Sequence, residues 1–140
     1  MDWREAVRVV RGASLDAVMR GPAGKGRATA FDFAGTGGQK TWIGAVTLAP
    51  NTSTGAHHHG RHEAAIYVVR GGSEIRWGER LEYVADVGPG DFVYFAPHVP
   101  HQERNLSASE ATDFLVVRSD NERITVGLEV TPIEQPERLF

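Results

Sequence analysis

Gly55-Ala-His-His-His-Gly-Arg-His-Glu63-Ala-Ala-Ile-Tyr-Val-Val-Arg-Gly71-Gly72 carries two signals in one stretch. Its first half holds four of the six histidines of this 140-residue chain. Its second half, Ala65 to Val69, is a continuous apolar, β-favouring run that a glycine pair ends. That is the pattern of a buried strand fed by a ligand-bearing turn. His57 and His59 are two residues apart. On extended backbone, side chains at i and i+2 leave the same face, so both imidazoles can converge on one ion while His58 points the other way. His58 is expected to pack or hydrogen-bond behind the site. Glu63 has the parity of His57 and His59, but it follows Gly60-Arg61, where the chain can bend. His62 competes with it as a ligand. Imidazole nitrogens with a nearby carboxylate suit Fe, Zn, Ni, Mn or Cu, and this donor set does not choose among them.

Outward from this stretch the same grammar repeats. Val7 to Val10 reads as a short opening strand and Ala13 to Met19 as one or two helical turns. Gly21-Pro-Ala-Gly-Lys-Gly26 is a turn-rich break. It lacks the Gly-Lys-Ser/Thr ending of a phosphate loop, and no apolar-periodic helix follows. Strands are expected over Ala28–Phe33, Thr41–Leu48, Ala65–Val69, Glu74–Trp77, Leu81–Ala85, Phe92–Phe95, His101–Asn105, Phe114–Arg118 and Ile124–Val130. Turn signals such as Pro50-Asn-Thr-Ser, Gly78-Glu-Arg and Gly88-Pro-Gly-Asp91 separate them. Eight or more short strands with a turn about every ten residues, and no long amphipathic helix, give an all-β sandwich or barrel. The histidine pattern occurs once, so there is no internal duplication.

Composition narrows the function. A single domain over residues 1–140 is the size expectation, with a barrel core at about 40–120. A net charge of −3 without a basic block excludes an electrostatic case for nucleic acid. Without cysteine there are no disulfides, thiolate ligands or cysteine nucleophiles. The charged start Met1-Asp-Trp-Arg-Glu is unlike a signal peptide, and Ala64 to Val69 is too short to cross a bilayer. The expectation is a cytoplasmic protein with no membrane partner.

A second site fragment, Gly90-Asp-Phe-Val-Tyr-Phe-Ala-Pro-His-Val-Pro-His101-Gln-Glu-Arg-Asn105, follows about thirty residues after the first. With His57-His-His59…Glu63…Gly71 it resembles the paired motifs of the cupin superfamily, in register over roughly residues 45 to 118, and is similar to small single-domain bacterial cupins. The resemblance implies a double-stranded β-helix, or jelly-roll barrel, with the two motifs on adjacent strands and a divalent metal in the barrel mouth. It places His57, His59 and His101 on metal positions. Three departures stand out. Counted back from Gly71, the usual carboxylate position falls on Ala64, one residue past Glu63. Either Glu63 binds through a shorter spacing, or the site has three histidines with water or His62 filling in. Ala96 stands where proline is common, and His98 where glycine is common. His98 is expected to be a turn residue or to lie at the pocket rim.

These readings imply a metal-dependent enzyme acting on a small organic molecule inside the barrel. The reaction is either a dioxygenase-type oxidation or a Lewis-acid isomerisation or cyclisation, including polyketide-cyclase-like chemistry. Gln102, Glu103 and Tyr67, beside motif positions, are candidate catalytic or orienting groups. Trp42, Ile66, Val68, Phe92, Phe95, Phe114 and Val116 are candidate walls, with plain core packing as the competing reading. The alternative function is a non-catalytic binding or sensing cupin. Sheet edges and an apolar face point to a homodimer, with the N-terminal strand or the Leu139-Phe140 tail crossing to the partner.

Overall fold

A computed structural model describes residues 3–9, 11, 25–31, 40–120 and 124–140. Eleven strands are present among them: β1 (Lys25–Phe31), β2 (Trp42–Leu48), β3 (His57–His58), β4 (Ala64–Arg70), β5 (Ser73–Trp77), β6 (Tyr83–Val87), β7 (Phe92–Phe95), β8 (His101–Arg104), β9 (Thr112–Arg118), β10 (Val126–Gly127) and β11 (Glu137–Arg138). They form a five-stranded sheet, β1-β2-β9-β4-β7, and a six-stranded sheet, β10-β3-β8-β5-β6-β11. The all-β jelly-roll expectation holds. No helix among the described residues is long and apolar enough to cross a membrane.

Period-two alternation builds the core between the sheets. Along β9, Thr112, Phe114, Val116 and Arg118 are buried, while Leu115 and Val117 are exposed. Along β4, Ala64, Ile66 and Val68 turn inward. Trp42, Leu48 and Phe95 from the first sheet and Ile75 from the second complete the same apolar cluster. Each such side chain contributes roughly 1.5–3 kcal/mol through burial. A one-residue slip of β4 or β9 would turn this set to solvent, so the register that positions the site is strongly specified.

Turns hold the register. Gly71 has φ +74°, and a Cβ there would collide with the Ala111 carbonyl oxygen, so only glycine closes β4 into β5. Asn105 is buried after β8. Its Nδ2 donates to the carbonyls of Leu48 (3.0 Å), Ala49 (3.2 Å) and Glu110 (2.8 Å), which ties two loops to the barrel end.

Several sequence expectations change. Residues 7–9 are in no strand; the regular element at that end is a 3-10 turn over Trp3–Glu5. Ala13–Met19, residues 32 and 33 of the next expected strand, and the turn over Gly35–Gly38 lie outside the described residues. Leu81 is a buried turn residue with φ 51°, and the strand begins instead at Tyr83. The long closing strand shrinks to Val126–Gly127. Glu137–Arg138 in the polar tail adds a parallel strand beside β6, which its composition did not announce.

Candidate metal centre

The register between β3 and β8 sets His57 opposite His101. His59 leaves the chain two residues on, just before Gly60, whose φ of +60° lets the backbone turn. The imidazole centroids are 4.3 Å apart for His57–His101, 5.0 Å for His57–His59 and 5.2 Å for His59–His101. One ligand nitrogen from each lies within 4.8 Å of the other two. All three rings are largely buried, and Phe95 stacks on His101 at 4.1 Å.

The hydrogen bonds decide which nitrogen faces the centre. His57 Nδ1 contacts the Gly55 carbonyl at 2.8 Å, His59 Nδ1 that of Ile124 at 3.0 Å, and His101 Nδ1 that of Val99 at 3.0 Å. A carbonyl oxygen can only accept, so each Nδ1 carries a proton, and in the neutral ring the lone pair then lies on Nε2. The buried Nε2 of His101 has no hydrogen-bond partner. Burial depresses the His59 pKa to about 3, helped by the positive charge of Arg118 and opposed by the Ile124 bond. Burial also lowers that of His101, against the pull of Glu103. Both rings are therefore neutral, as ligands must be.

Glu103 supplies negative charge beside these lone pairs. Its Oε1 is 3.6 Å from His101 Nε2 and its Oε2 3.9 Å from His57 Nε2. Burial favours the neutral acid, but the positive charge that His101 and His57 carry when protonated, with the Thr54 hydroxyl, outweighs it and holds the carboxyl below its ordinary range. Thr54 Oγ1 donates to Oε2 at 3.0 Å and accepts from the Glu103 amide at 3.1 Å. Three inward lone pairs and a buried carboxylate form one compact set of donors. That chemistry fits a divalent cation.

The other proposed ligands lie elsewhere. Glu63 ends the turn on the outward side, where its Oε2 accepts the Tyr94 hydroxyl proton at 2.7 Å. The next residue, Ala64, is the one that faces the interior. The bend at Gly60 changes the parity carried over from His57 and His59, and Glu63 is not brought to the histidines. His62 is buried as well. Its Nε2 is 3.9 Å from Asp120 Oδ2, and it stands outside the three-histidine group. Of the catalytic candidates, only Glu103 sits at the cluster. Gln102, on the opposite face of β8, donates from Nε2 to the Thr54 carbonyl at 2.9 Å, and Tyr67 packs outward on Phe92.

A narrow cavity of about 30 Å³, roughly room for a water, opens beside the histidines. Ile66, Phe95, Phe114 and Val116 line it and also belong to the apolar core cluster, Trp42 and Val68 belong to the core without lining it, and Phe92 is exposed. Sequence reasoning missed Val46, Leu48, Thr54 and Arg118 as lining residues. Arg118 lies fully buried with its guanidinium 4.5 Å above the Trp42 ring. The signal was present, since Arg118 shares the inward parity of Phe114 and Val116. His98 has φ 62°, fitting a place where glycine is common, and its amide donates to the Gly60 carbonyl at 2.8 Å. His58 Nδ1 accepts from the Gly60 amide at 2.9 Å, behind the site.

A sequence profile of the cupin domain matches residues 44–118, more than half of the chain. The protein belongs to the cupin family. No curated protein sequence matches this cupin significantly. Among solved structures, it is similar to the polyketide cyclase RemF from Streptomyces resistomycificus, with a TM-score of 0.73 and 22% identity over 93% of this chain and 89% of that one. A cupin 2 domain-containing protein from Halorhodospira halophila is 28% identical, with a TM-score of 0.66 over 79% of this chain and 74% of that one. Oxalate decarboxylase from Bacillus subtilis is 23% identical, with a TM-score of 0.66 over 75% of this cupin but only 28% of its own length.

Proposed function

We propose that this cupin is a metal-dependent enzyme that isomerises or cyclises a small carbonyl compound held in the barrel. The observation that carries the reading is the convergence of three imidazole Nε2 lone pairs, each fixed by an Nδ1–carbonyl bond, on the wall of an apolar cavity. His57, His59 and His101 would hold the ion. A divalent metal bound there supplies Lewis-acid polarisation of a substrate oxygen. At about 30 Å³ the cavity is far smaller than a small-ligand pocket, so this reading requires the wall side chains to move apart when substrate enters. Once opened, its apolar walls would hold a carbon skeleton, and Glu103 and Arg118 would present opposite charges to polar substituents. A polyketide cyclase shares this fold nearly end to end, at an identity that shows the fold alone, and turnover decides between cyclisation and oxidation.

The test is turnover by protein reconstituted separately with Zn, Ni, Mn and Fe(II), using a panel of enolisable aromatic and polyketide-like carbonyl compounds. Isomerisation and aldol ring closure leave the product mass unchanged, and dehydration of the aldol product lowers it by one water, all without O2 uptake. Stoichiometric O2 consumption would contradict this reading in favour of dioxygenase chemistry. Tight ligand binding without turnover by any metal form would favour a sensing or storage role.

We also propose a homodimer. The outer face of the five-stranded sheet aligns Leu115, Tyr67 and Phe92 in one row and Val117, Ala65 and Tyr94 in the next. Phe92, Tyr94, Leu115 and Val117 are exposed there, and β7 is an edge strand. A second copy would cover both features. Light scattering that returns a monomer mass at micromolar concentration would contradict it.

A further inference from the structure

In this chain the inward position at the start of β4 is Ala64, which lines the cavity without offering a donor. The neighbouring carboxylate, Glu63, is turned outward to Tyr94. A three-histidine set facing a divalent ion therefore has no acidic partner from β4. The carboxylate found at the cluster comes from β8, two residues beyond His101, where strand alternation returns a side chain to the same face.

We infer that Glu103 is the fourth protein ligand of the metal, so that the carboxylate of the centre comes from the strand of His101 and not from the strand that follows His59. Two ligand atoms each about 2.1 Å from one ion lie roughly 3.0–3.5 Å apart. Oε1 is 3.6 Å from His101 Nε2, and Oε2 is 3.9 Å from His57 Nε2. Glu103 lies outside the group whose ligand atoms are all within 4.8 Å of one another, so joining an ion held there requires its carboxylate to close on His59 as well as on His101 and His57. The carboxylate is already oriented, because the Thr54 hydroxyl holds Oε2 and leaves Oε1 turned toward His101. The second pointer is the buried His101 Nε2, which has no protein hydrogen-bond partner and shares its space with Oε1. One anionic and three neutral ligands would reduce the charge of a divalent ion to a net +1.

This inference rests on the metal-centre reading, and one titration separates the two. Untagged protein stripped of metal is titrated with Co(II), reading both affinity and the visible ligand-field spectrum, with Zn(II) competition for tight binding. Glu103→Gln is expected to weaken binding on the order of 100-fold or more and to change the spectrum, while Glu63→Gln leaves both unchanged. Glu103→His is expected to restore affinity with a spectrum shifted toward nitrogen ligation. It also decides the matter if the Gln variant fails to fold. Weakened binding with an unchanged spectrum puts Glu103 outside the coordination sphere and overturns the inference. So does unchanged binding by Glu103→Gln, or a wild-type spectrum from Glu103→His. All three results leave the three-histidine centre standing. Wild-type protein that binds no Co(II) overturns both.

Discussion

His57 and His101 face each other across the β3–β8 pairing with their rings 4.3 Å apart, although forty-four positions separate them in the chain. The centre therefore exists only when two strands of the second sheet are correctly registered, and stability of that register is a condition of metal binding.

Gly60 should be intolerant of a side chain. Its φ of +60° costs an L-residue roughly 1–2 kcal/mol, and a Cβ would sit 2.9 Å from Ile124 Cγ2. Ile124 also supplies the carbonyl that fixes His59. Gly60→Ala is expected to lower unfolding free energy by at least ~1 kcal/mol and to weaken metal binding as well. Denaturant melts and a metal titration of the same variant check both effects.

Asn105→Ala should act on stability alone. It removes three donated hydrogen bonds to loop carbonyls, and a fourth that its Oδ1 accepts from the Ser107 amide. Unsatisfied buried groups of this kind cost about 2–4 kcal/mol together. Metal affinity per folded molecule should remain at the wild-type level, since Asn105 does not touch the histidines. A chemical denaturation curve measures the first effect and a titration well below the unfolding midpoint the second.

Acid should unfold the metal-free protein early. Folded His59 stays neutral down to about pH 3, whereas an unfolded histidine protonates near pH 6.5. Between those values the unfolded chain binds more protons, so stability falls as pH drops from about 6.5 toward 3. The lowered His101 acts in the same direction. Glu103, also lowered, adds stability that is present above the ordinary carboxylate range and is lost as pH falls through its folded value. For His59 alone the effect amounts to several kcal/mol, on the order of 3–5. Melting temperatures across pH 3–7 should show a steep decline for the metal-free wild type and a shallower one for His59→Ala.

Ala64→Glu should supply a carboxylate from the inward position of β4. Placed in the Glu103→Gln protein, it is expected to recover at least ~10-fold in metal affinity, while a glutamate already at position 63 does not. Isothermal titration of the double variant against Glu103→Gln alone measures the difference.

The sequence exposed much of this because its signals are local and periodic. The alternation in Thr41–Leu48 and the apolar runs Ala65–Val69 and Phe114–Arg118 fall on β2, β4 and β9, whose one face is buried. His57 and His59 could be assigned by parity, since a short extended segment carries them. Glu63 could not, because the turn at Gly60 breaks the count, and a turn's effect on side-chain direction is a tertiary outcome. Arg118 hid for another reason. A charged residue at a strand end normally reads as a solvated terminus, and only the packing against Trp42 shows that it is interior. The short β11 escaped notice because its pairing with β6 is long-range and its residues are polar.

The most direct test is the metal content of the protein purified without a histidine tag, by elemental analysis, beside His59→Ala and His101→Ala. The convergent Nε2 lone pairs predict about one divalent transition-metal ion per chain in the wild type, with loss of nearly all of it in either variant while the fold is retained. The same negligible metal in all three proteins, with no uptake on reconstitution, would contradict the assignment of this barrel mouth as a metal centre.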